Sequence, residues 1–465
     1  MAQPKKPPKA SVRTIATTLQ TALTMHQQGQ LDLAETLYKE ILQSQPSHFD
    51  ALQLLATIAA QQGDSTLAVD LFDRALKVKP GFAAAWSNRG NALLELKRPD
   101  EALASYDRAL RIQPEYALAL HGRANALREL HRYDEALESY ARALKAKPNY
   151  AEAHWNESLC RLLLGDFDLG WQKYEWRWKQ AQSARAFRNF AQPLWLGEIP
   201  LAGRTILLHA EHGFGDTLQF CRYGPLVAAM GARVVLEVPP DLKLVCQTLA
   251  GVDMLLDTSE SLPAFDFHTP LMSLPLAFGT RLDSIPAAVP YLHPDPVKVA
   301  AWQDLLGPRT KPRIGLVWSG SPQHGNDQNR SLAASLLDEL VSDAAEFICL
   351  QKEFRNDDEK FVQQQFNVRT FGEQLRNFSD TAALVATLDL VITVDTSIAH
   401  LAGALGKPVW ILLPFAPDFR WLLERTDSPW YPSARLFRQP GFGQWPTVLA
   451  ELRNALAEQF KLQDA

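Results

Sequence analysis

The first stretch whose residues could do chemistry is the octapeptide HAEHGFGD at residues 209–216, which directly follows an apolar run. Gly213 and Gly215 permit a tight backbone and the close approach of a ligand. A helix that begins after such a loop favours an anion, because its first amides have no partner within the helix. Asp216 could take part in a reaction or could simply cap that helix. The two histidines of the loop have no second group of ligands beside them, and we therefore predict no metal site.

The second such stretch is the heptapeptide VDTSIAH at residues 394–400, which again follows an apolar run. The hydroxyls of Thr396 and Ser397, together with the free amides of a helix start, could hold a diphosphate. His400 lies one helical turn beyond Thr396 and on the same face. The alternative is structural: Asp395 would cap the helix and His400 would be a surface residue. The pattern alone leaves both interpretations open.

Both stretches lie in a part of the chain where short apolar runs alternate with helical stretches, beginning near Arg204. Repeated βα units predict parallel sheets with helices on both faces. A proline-rich stretch at 285–296 divides them, so we expect an α/β lobe at 204–300, a second at 311–465 and a cleft between the two. The predicted strands are Thr205–His209, Val234–Val238, Ile314–Trp318, Phe347–Leu350, Leu390–Val394 and Val409–Leu413. The predicted helices are Asp216–Met230, Asp241–Ala250, Ser331–Val341, Asp357–Phe366, Thr381–Thr387, Ser397–Leu405 and Thr447–Phe460.

Residues 15–185, before these lobes, carry an internal period of 34 residues. Alanine, aromatic and proline positions recur in register, which resembles the tetratricopeptide pattern of paired antiparallel helices. The alanine lets two helices approach closely, the aromatic residue fills the gap on the same face, and the proline marks the turn between copies. We predict an α-helical solenoid of four clear repeats and a fifth, degenerate copy with Gln182 at the proline position. The recurring residues are Ala34, Ala68, Ala102 and Ala136; Tyr38, Phe72, Tyr106 and Tyr140; and Pro46, Pro80, Pro114 and Pro148.

Such a solenoid offers a concave groove, which normally takes peptide. Asn91 and Asn125 occupy one position of the repeat, and Asn88 and Asn156 occupy another. In this repeat family those positions face the groove, where amides can pair with an extended peptide backbone. The alternative is that the asparagines are solvated or bond within the scaffold, and that the array mediates oligomers.

Two segments flank the array. Residues 1–14 are basic and proline-rich without an apolar core, so we predict a disordered tail rather than a secretory signal. The segment 171–178 contains four aromatic residues. We expect it to pack the last repeat against the next domain, with a linker at 186–203.

Composition excludes several classes of protein. The chain has 465 residues, and 47 Lys+Arg against 52 Asp+Glu give a net charge of −5, which argues against a general nucleic-acid binder. No apolar run approaches the roughly 18 residues of a membrane span. The four cysteines are scattered without ligand spacing, which is typical of reduced thiols. We therefore expect a cytoplasmic protein.

Taken together, residues 204–460 resemble the two-lobed glycosyltransferases of the GT-B type, with two Rossmann-like α/β lobes. The resemblance is closest to the heptosyltransferase-like enzymes, which transfer a sugar from a nucleotide diphosphate donor. It is carried by Gly213–Asp216 in the first lobe and by Asp395–His400, extended through Ala402–Pro408, in the second. The order of a repeat array and then a catalytic region also resembles protein O-linked N-acetylglucosamine transferases, which is an architectural analogy.

The resemblance implies a role for several residues. Asp216 would be the general base, the 394–400 motif would bind the donor phosphates, and Arg330 would help to neutralise them. Lys352 and Glu353 would lie near the nucleoside. No metal or other cofactor is implied, because a cation and helix amides can stabilise the leaving diphosphate. Ser397 stands where heptosyltransferases usually have glycine, so the identities of donor and acceptor do not carry over.

We therefore predict a metal-independent, inverting glycosyltransferase whose repeat array binds a partner or acceptor protein. One alternative is a non-catalytic scaffold that keeps a degenerate glycosyltransferase fold. Another is a nucleotide-sugar epimerase of the same fold. Asp216, Arg330 and His400 favour the transferase over the scaffold, and an epimerase has no need of the array.

Overall fold

The computed structural model describes residues 14–180 and 187–461. All of the expected basic tail except Thr14 lies outside the described residues, as does Gln182. The chain divides into two compact units, and the boundary in the sequence lies between Cys160 and Arg161. The first unit is helical, whereas the second is built on parallel sheets.

The first unit consists of antiparallel helix pairs in the predicted 34-residue period, which confirms the tetratricopeptide solenoid. In the pairs from α1 to α8, a helix of 13 residues precedes one of 14. The recurring prolines all fall in the turns between pairs, because proline cannot continue a helix. The helices are α1 (Ile15–Gln27), α2 (Leu31–Ser44), α3 (Phe49–Gln61), α4 (Ser65–Val78), α5 (Ala83–Glu95), α6 (Pro99–Ile112), α7 (Ala117–Glu129), α8 (Tyr133–Ala146) and α9 (Ala151–Leu163).

Small residues set the spacing between the helices of the array. The recurring alanines and aromatic residues are fully buried, as the period predicts. The Tyr106 ring lies directly against the backbone of α5 and α7. A Cβ on Gly90 would come within 2.7 Å of that ring, and one on Gly122 would overlap it. Both glycines are therefore required by close packing rather than by backbone conformation.

A polar ladder also joins successive pairs. Arg89 donates from Nε to Asp73 at 2.6 Å and from Nη1 to Ser105 at 2.7 Å. The same atoms make the same contacts one copy later, at 2.9 and 2.6 Å, in Arg123, Asp107 and Ser139. Each arginine is partly buried. An aspartate of the preceding helix neutralises its charge, and a serine of the following helix accepts a second hydrogen bond.

The fifth copy is shortened. Its second helix, α10 (Phe167–Tyr174), has 8 residues and continues as a 3₁₀ turn at Glu175–Lys179. Within the second unit, the Trp171 ring meets Phe220 and Phe419 edge-on, with centroids 6.2 and 5.7 Å apart. The aromatic segment therefore belongs to the interior of the second unit.

The first lobe of the second unit is a four-stranded parallel sheet with strand order β3-β2-β1-β4. Trp195, in the segment expected to be a linker, is buried, and its amide donates to the His268 carbonyl at 2.9 Å. The segment thus packs on the sheet edge at this point. The elements are β1 (Thr205–His209), α11 (Phe214–Phe220), α12 (Gly224–Ala229), β2 (Arg233–Val238), α13 (Pro240–Cys246), β3 (Met254–Asp257), β4 (Phe267–Pro270) and α14 (Leu274–Ala277).

The second lobe is a six-stranded parallel sheet with strand order β10-β9-β8-β5-β6-β7. Its inner strands are buried throughout, which is why they are continuous apolar runs in the sequence. The elements are α15 (Pro296–Leu306), β5 (Arg313–Val317), α16 (Asp327–Arg330), β6 (Glu346–Cys349), α17 (Asn356–Gln364), β7 (Arg369–Thr370), α18 (Phe378–Ala386), β8 (Leu390–Val394), α19 (Ser397–Ala404), β9 (Val409–Leu413), β10 (Ala434–Arg438) and α20 (Trp445–Phe460).

Two predicted helices take a different form. The one expected at Asp216–Met230 is broken into α11, a 3₁₀ turn and α12, because Pro225 starts a new helix rather than continuing the old one. The one expected at Ser331–Val341 is a 3₁₀ segment, Ala334–Leu340. Its three-residue turn buries Leu337 and Leu340 on one side.

Candidate functional site

Each predicted loop lies at the point where the strand order of its sheet reverses. In the first sheet β1 lies between β2 and β4, and in the second β5 lies between β6 and β8. A crevice opens beyond the carboxyl ends of the strands at such a point, and ligands bind there. The 209–216 loop follows β1 and the 394–400 loop follows β8. The helices after these loops, α11 and α19, pack against each other, so we expect the two loops to border one cleft.

Asp216 lies in the first turn of α11, and Gly213 occupies the N-cap position. The Oδ2 atom of Asp216 accepts a hydrogen bond from the Gly213 amide at 2.9 Å. Asp216 is therefore not the N-cap residue itself, but its carboxylate caps the start of the helix from the third helical position. Its side chain is 24% exposed.

Arg420 is the closest partner of this carboxylate. It follows β9 in a 3₁₀ turn, is buried, and forms an ion pair with Oδ1 of Asp216. Its Nε donates to Gln219 Oε1 at 2.7 Å, and its Nη1 donates to Asp418 at 2.8 Å. The candidate base is therefore already occupied by a cation from the other lobe.

Buried Arg177 holds the preceding part of the same loop. Its Nε and Nη2 contact the two oxygens of Glu211 at 2.8 and 3.0 Å. One Glu211 oxygen also accepts from the Met272 amide at 2.9 Å. Glu211 thus fixes the loop between β1 and Gly213.

The second loop begins α19 as predicted, although with a different cap. Thr396 is the N-cap residue, and its hydroxyl accepts from the Ile398 amide at 3.3 Å. The alternative interpretation, in which Asp395 is the cap, is wrong because the helix starts one residue later. Burial raises the pKa of Asp395 to about 6, and the neighbouring Asp418 carboxylate adds to that rise. Ser397 is partly buried at the first helical position.

His400 is buried rather than on the surface. Its Nδ1 lies 3.0 Å from the Tyr431 hydroxyl, and its ring stacks on Trp421 at 5.5 Å between centroids. Burial holds the pKa of His400 well below its usual range, and the charge of Arg420 adds to this. The imidazole is therefore neutral at pH 7, and a contact with a diphosphate would be a neutral hydrogen bond. A Cβ on Gly215 would lie 2.7 Å from the ring, so this glycine permits the contact between α11 and α19.

Arg330 lies beside the second loop. Its Nη1 donates to the Asp395 carbonyl at 2.8 Å, and its guanidinium packs against the backbone of Gly320. Nearby, burial lowers the pKa of His324 and the charge of Arg330 adds to this, whereas Asp216 acts in the opposite direction. Arg330, His324 and Asp216 therefore share one electrostatic environment.

Lys352 and Glu353 are exposed in the turn after β6. The buried Gln351 before them holds the turn, because its Oε1 accepts from the Trp318 and Ser319 amides at 3.3 and 3.2 Å. The structure thus places the expected nucleoside residues at the carboxyl end of β6, next to the strand that Arg330 follows.

In the array, the predicted groove asparagines bond within the scaffold. Asn91 Oδ1 accepts from the Tyr106 hydroxyl at 2.7 Å, and Asn125 Oδ1 accepts from Tyr140 at 2.6 Å. Asn156 donates to Asn125 at 3.2 Å. Asn88 is partly buried. The side-chain oxygens of Asn91 and Asn125 therefore bond within the scaffold, as the alternative interpretation of the sequence expected.

The loop histidines are dispersed rather than clustered. His209 is buried 3.3 Å from His268, and burial lowers the pKa of His209 to about 3. His212 lies 3.6 Å from Glu211. The described ranges, 14–180 and 187–461, contain no group of three or more His, Cys, Asp or Glu side chains arranged to hold a metal ion.

Sequence reasoning missed the roles of Arg420, Arg177 and Glu211. Arg420 lies 204 residues from Asp216 in the sequence, so no local pattern could connect these two residues. Arg177 lies in the aromatic segment and is separated from Glu211 by 34 residues, so no local spacing could connect the two.

Family models match two parts of the chain. A tetratricopeptide repeat model matches residues 26–81, 54–117 and 121–175. The model of glycosyltransferase family 9 (heptosyltransferase) matches residues 374–413. This second match contains β8, the 394–400 loop and α19 but does not extend to Asp216.

Parts of the chain are also similar to individual proteins. Protein FlbA of Caulobacter vibrioides is 25% identical over 324 residues, which are 64% of this chain and 53% of FlbA. The chain thus spans about half the length of the curated relative that it matches. Among solved structures, MamA is 19% identical and covers 36% of this chain and 97% of its own, with a TM-score of 0.32. PilW, a type IV pilus biogenesis factor, is 23% identical over 37% of this chain and 80% of its own, with a TM-score of 0.34.

The fold and the first family model define a chain with tetratricopeptide repeats followed by a parallel α/β region. More narrowly, residues 374–413 of that region are similar to glycosyltransferase family 9 (heptosyltransferase). Throughout the described part of the chain, every helix is too short or too polar to cross a bilayer.

Proposed function

We propose that the chain transfers a sugar from a nucleoside diphosphate sugar to a hydroxyl acceptor, with inversion at the anomeric carbon. The observation that carries the proposal is the packing of α11 against α19, which brings Asp216 and the start of α19 to one cleft. One border offers a carboxylate, and the other offers helix amides with Arg330 beside them. Inverting transfer requires a proton acceptor and an anion site in this arrangement.

In the proposed reaction, the acceptor oxygen attacks the anomeric carbon while its proton passes to the Asp216 carboxylate. The bond from that carbon to the donor phosphate breaks, and the diphosphate leaves with the electron pair. The amides of Thr396 and Ser397 and the guanidinium of Arg330 stabilise the charge of the leaving group. His400 adds a neutral contact. These groups stabilise the negative charge of the leaving diphosphate, which is a role that a metal ion could otherwise have. We therefore propose metal-independent transfer.

We also propose that the two lobes, at 204–300 and 311–465, act as one catalytic region, and that the array at 15–185 recruits a partner or acceptor protein. Lys352 and Glu353 would border the nucleoside. The scaffold alternative, in which the lobes only bind, is supported by one observation: Arg420 occupies the Asp216 carboxylate. Turnover, rather than binding, separates these two possibilities.

Ligand binding is tested by thermal shift of the full chain across nucleoside diphosphates and nucleoside diphosphate sugars. A ligand at 100 times its Kd stabilises the folded protein by about 2.7 kcal/mol. The nucleoside diphosphate sugar that stabilises the chain is then used as a donor, and sugar transfer by the parent is compared with that by Asp216→Asn. The amide keeps the shape but cannot accept the proton, so we expect turnover to fall by about 10²–10⁴-fold.

Near-parent turnover in folded Asp216→Asn would remove the catalytic assignment. Binding of a nucleoside diphosphate without any transfer or donor hydrolysis would favour the scaffold. Asp427→Asn is a suitable control, because Asp427 pairs with Arg425 and is 68% exposed. We expect it to leave turnover unchanged.

A further inference from the structure

Arg420 joins the two borders of the cleft. It follows β9 in the second lobe, and its side chain is 9% exposed. Two of its nitrogens reach first-lobe side chains, Asp216 and Gln219, and a third stays with Asp418 of its own lobe. The Asp216 carboxylate in turn accepts from Arg420 on one oxygen and from Gly213 on the other. Both oxygens of the candidate base therefore already accept a hydrogen bond.

The same guanidinium also acts on the anion side of the cleft. Its positive charge opposes the rise in the pKa of Asp395, the residue before the α19 cap. It also contributes to the low pKa of His400 on α19. Arg420 is therefore close enough to the start of α19 to interact with charge there, as well as with Asp216.

Two donors in this region have no acceptor. Gln219 is fully buried, and its Nε2 finds no hydrogen-bond partner among the residues that the structure describes. The Nε of Arg330 is likewise without a hydrogen bond in the described ranges, and the Asp327 carboxylate lies 3.6 Å away. Buried donors are normally paired, so this region is short of acceptor oxygens. A diphosphate supplies such oxygens.

We propose that Arg420 exchanges partners: it pairs with Asp216 in the free protein and with the donor diphosphate in the complex, which releases the Asp216 carboxylate. This inference rests on the proposed function and adds a residue to it. A diphosphate carries more charge than a carboxylate and fits the planar fork of arginine, so the exchange is favourable when the donor arrives. The base then becomes available only when a donor is bound.

The exchange makes Asp216 a competitor of the diphosphate for Arg420. Removing the charge of Asp216 should therefore tighten diphosphate binding, whereas a merely structural ion pair predicts no change or weaker binding. Asp216→Asn keeps an oxygen for the Gly213 amide, so the start of α11 is retained. Arg420→Gln removes the cation, and Arg420→Lys keeps the charge but loses the fork.

The test is calorimetric titration of the full chain with UDP, ADP and GDP and with the matching nucleosides. For the nucleoside diphosphate that the parent binds, we expect about fivefold or greater tightening in Asp216→Asn. We expect weakening of about 10- to 100-fold in Arg420→Gln and a smaller loss in Arg420→Lys. Nucleoside affinity should stay at the parent value in all three. Asp427→Asn, in the same segment, should match the parent, and melting temperatures verify folding.

The outcomes separate the two proposals. Diphosphate affinity in folded Asp216→Asn that equals or falls below the parent value overturns the exchange and leaves the proposed function standing. Nucleoside affinity that changes with Arg420 also overturns it, since the residue would then shape the cleft rather than bind phosphate. Absence of diphosphate binding in both the parent and Asp216→Asn removes the proposed function, and the exchange with it.

Discussion

Asp395 carries an electrostatic cost in the folded chain. An ordinary aspartate ionises near 3.8, whereas burial raises the pKa of Asp395 to about 6. Between these values the folded chain holds more protons than the unfolded chain. The free energy of unfolding therefore falls as the pH rises from about 4 to about 6. Ionisable groups whose pKa is shifted by burial concentrate at functional sites, which supports a role for Asp395 in the cleft.

Replacing Asp395 by Asn should remove this cost. We expect the variant to gain stability over the parent across pH 4 to 6, reaching about 1–3 kcal/mol at pH 7 and above. Melting temperatures of both proteins from pH 4 to pH 8 measure the difference. Arg425 lowers the pKa of Asp427, so Asp427→Asn should show a small change of the opposite sign. A difference for Asp395→Asn that does not vary with pH would contradict the assigned cause.

The pairing of Asp216 with Arg420 illustrates which parts of the site the sequence can predict. Asp216 was found from its position after an apolar run and two glycines, which is a local pattern. Arg420 lies 204 residues away, and only the packing of one lobe on the other brings the two together. The cap assignments failed because several residue types are acceptable as caps. The N-cap of α19 lies one residue after Asp395, and that of α11 lies three residues before Asp216.

For the strands too, only those with a clear local sequence pattern are predicted. The bounds of β8 and β9 are predicted to the residue, because both are buried, unbroken apolar runs. Strands β3 and β4 are not predicted, because they have 4 residues each and include polar residues or proline. The turn between successive helix pairs of the tetratricopeptide period, by contrast, is marked by proline in copy after copy. Repetition in the sequence therefore predicts the array better than composition predicts short strands.

The helix pairs of the array depend on the asparagines that were expected to face a partner. The Tyr106 and Tyr140 hydroxyls are buried, and they donate to Asn91 and Asn125. Replacing both asparagines by Ala leaves two buried donors unpaired, and we expect a loss of about 1–3 kcal/mol for each. Urea unfolding followed by circular dichroism measures the loss.

Asn88→Ala is the comparison variant, since Asn88 occupies a different repeat position, and we expect it to cost less. Partner capture by the folded double variant then tests the groove. Capture at the parent level would mean that these two residues serve the scaffold alone, and a loss of capture by the folded double variant would support a contact with the partner.

The second unit includes more of the chain than the α/β lobes. Trp171 and Tyr174 are buried beside Phe419, and Arg177 is buried against Glu211. We expect a fragment that starts at residue 148 to fold with a cooperative melting transition. One that starts at 186 lacks these side chains and should expose their apolar contacts, so it should melt lower and associate. Differential scanning calorimetry and light scattering compare the two. Equal behaviour would mean that the segment before 186 adds nothing to this unit.

The polar ladder of the array has a consequence for how the chain can change over evolutionary time. Its links repeat every 34 residues, with the same atoms in the same roles. Deleting residues 80–113 would bring Asp73 to the place of Asp107, opposite Arg123. The remaining arginine of the ladder would therefore keep an aspartate partner. Loss or duplication of this copy would thus keep the ladder paired, whereas loss of a partial copy would not. At this position the array can change its length by one complete unit without leaving a partly buried arginine unpaired.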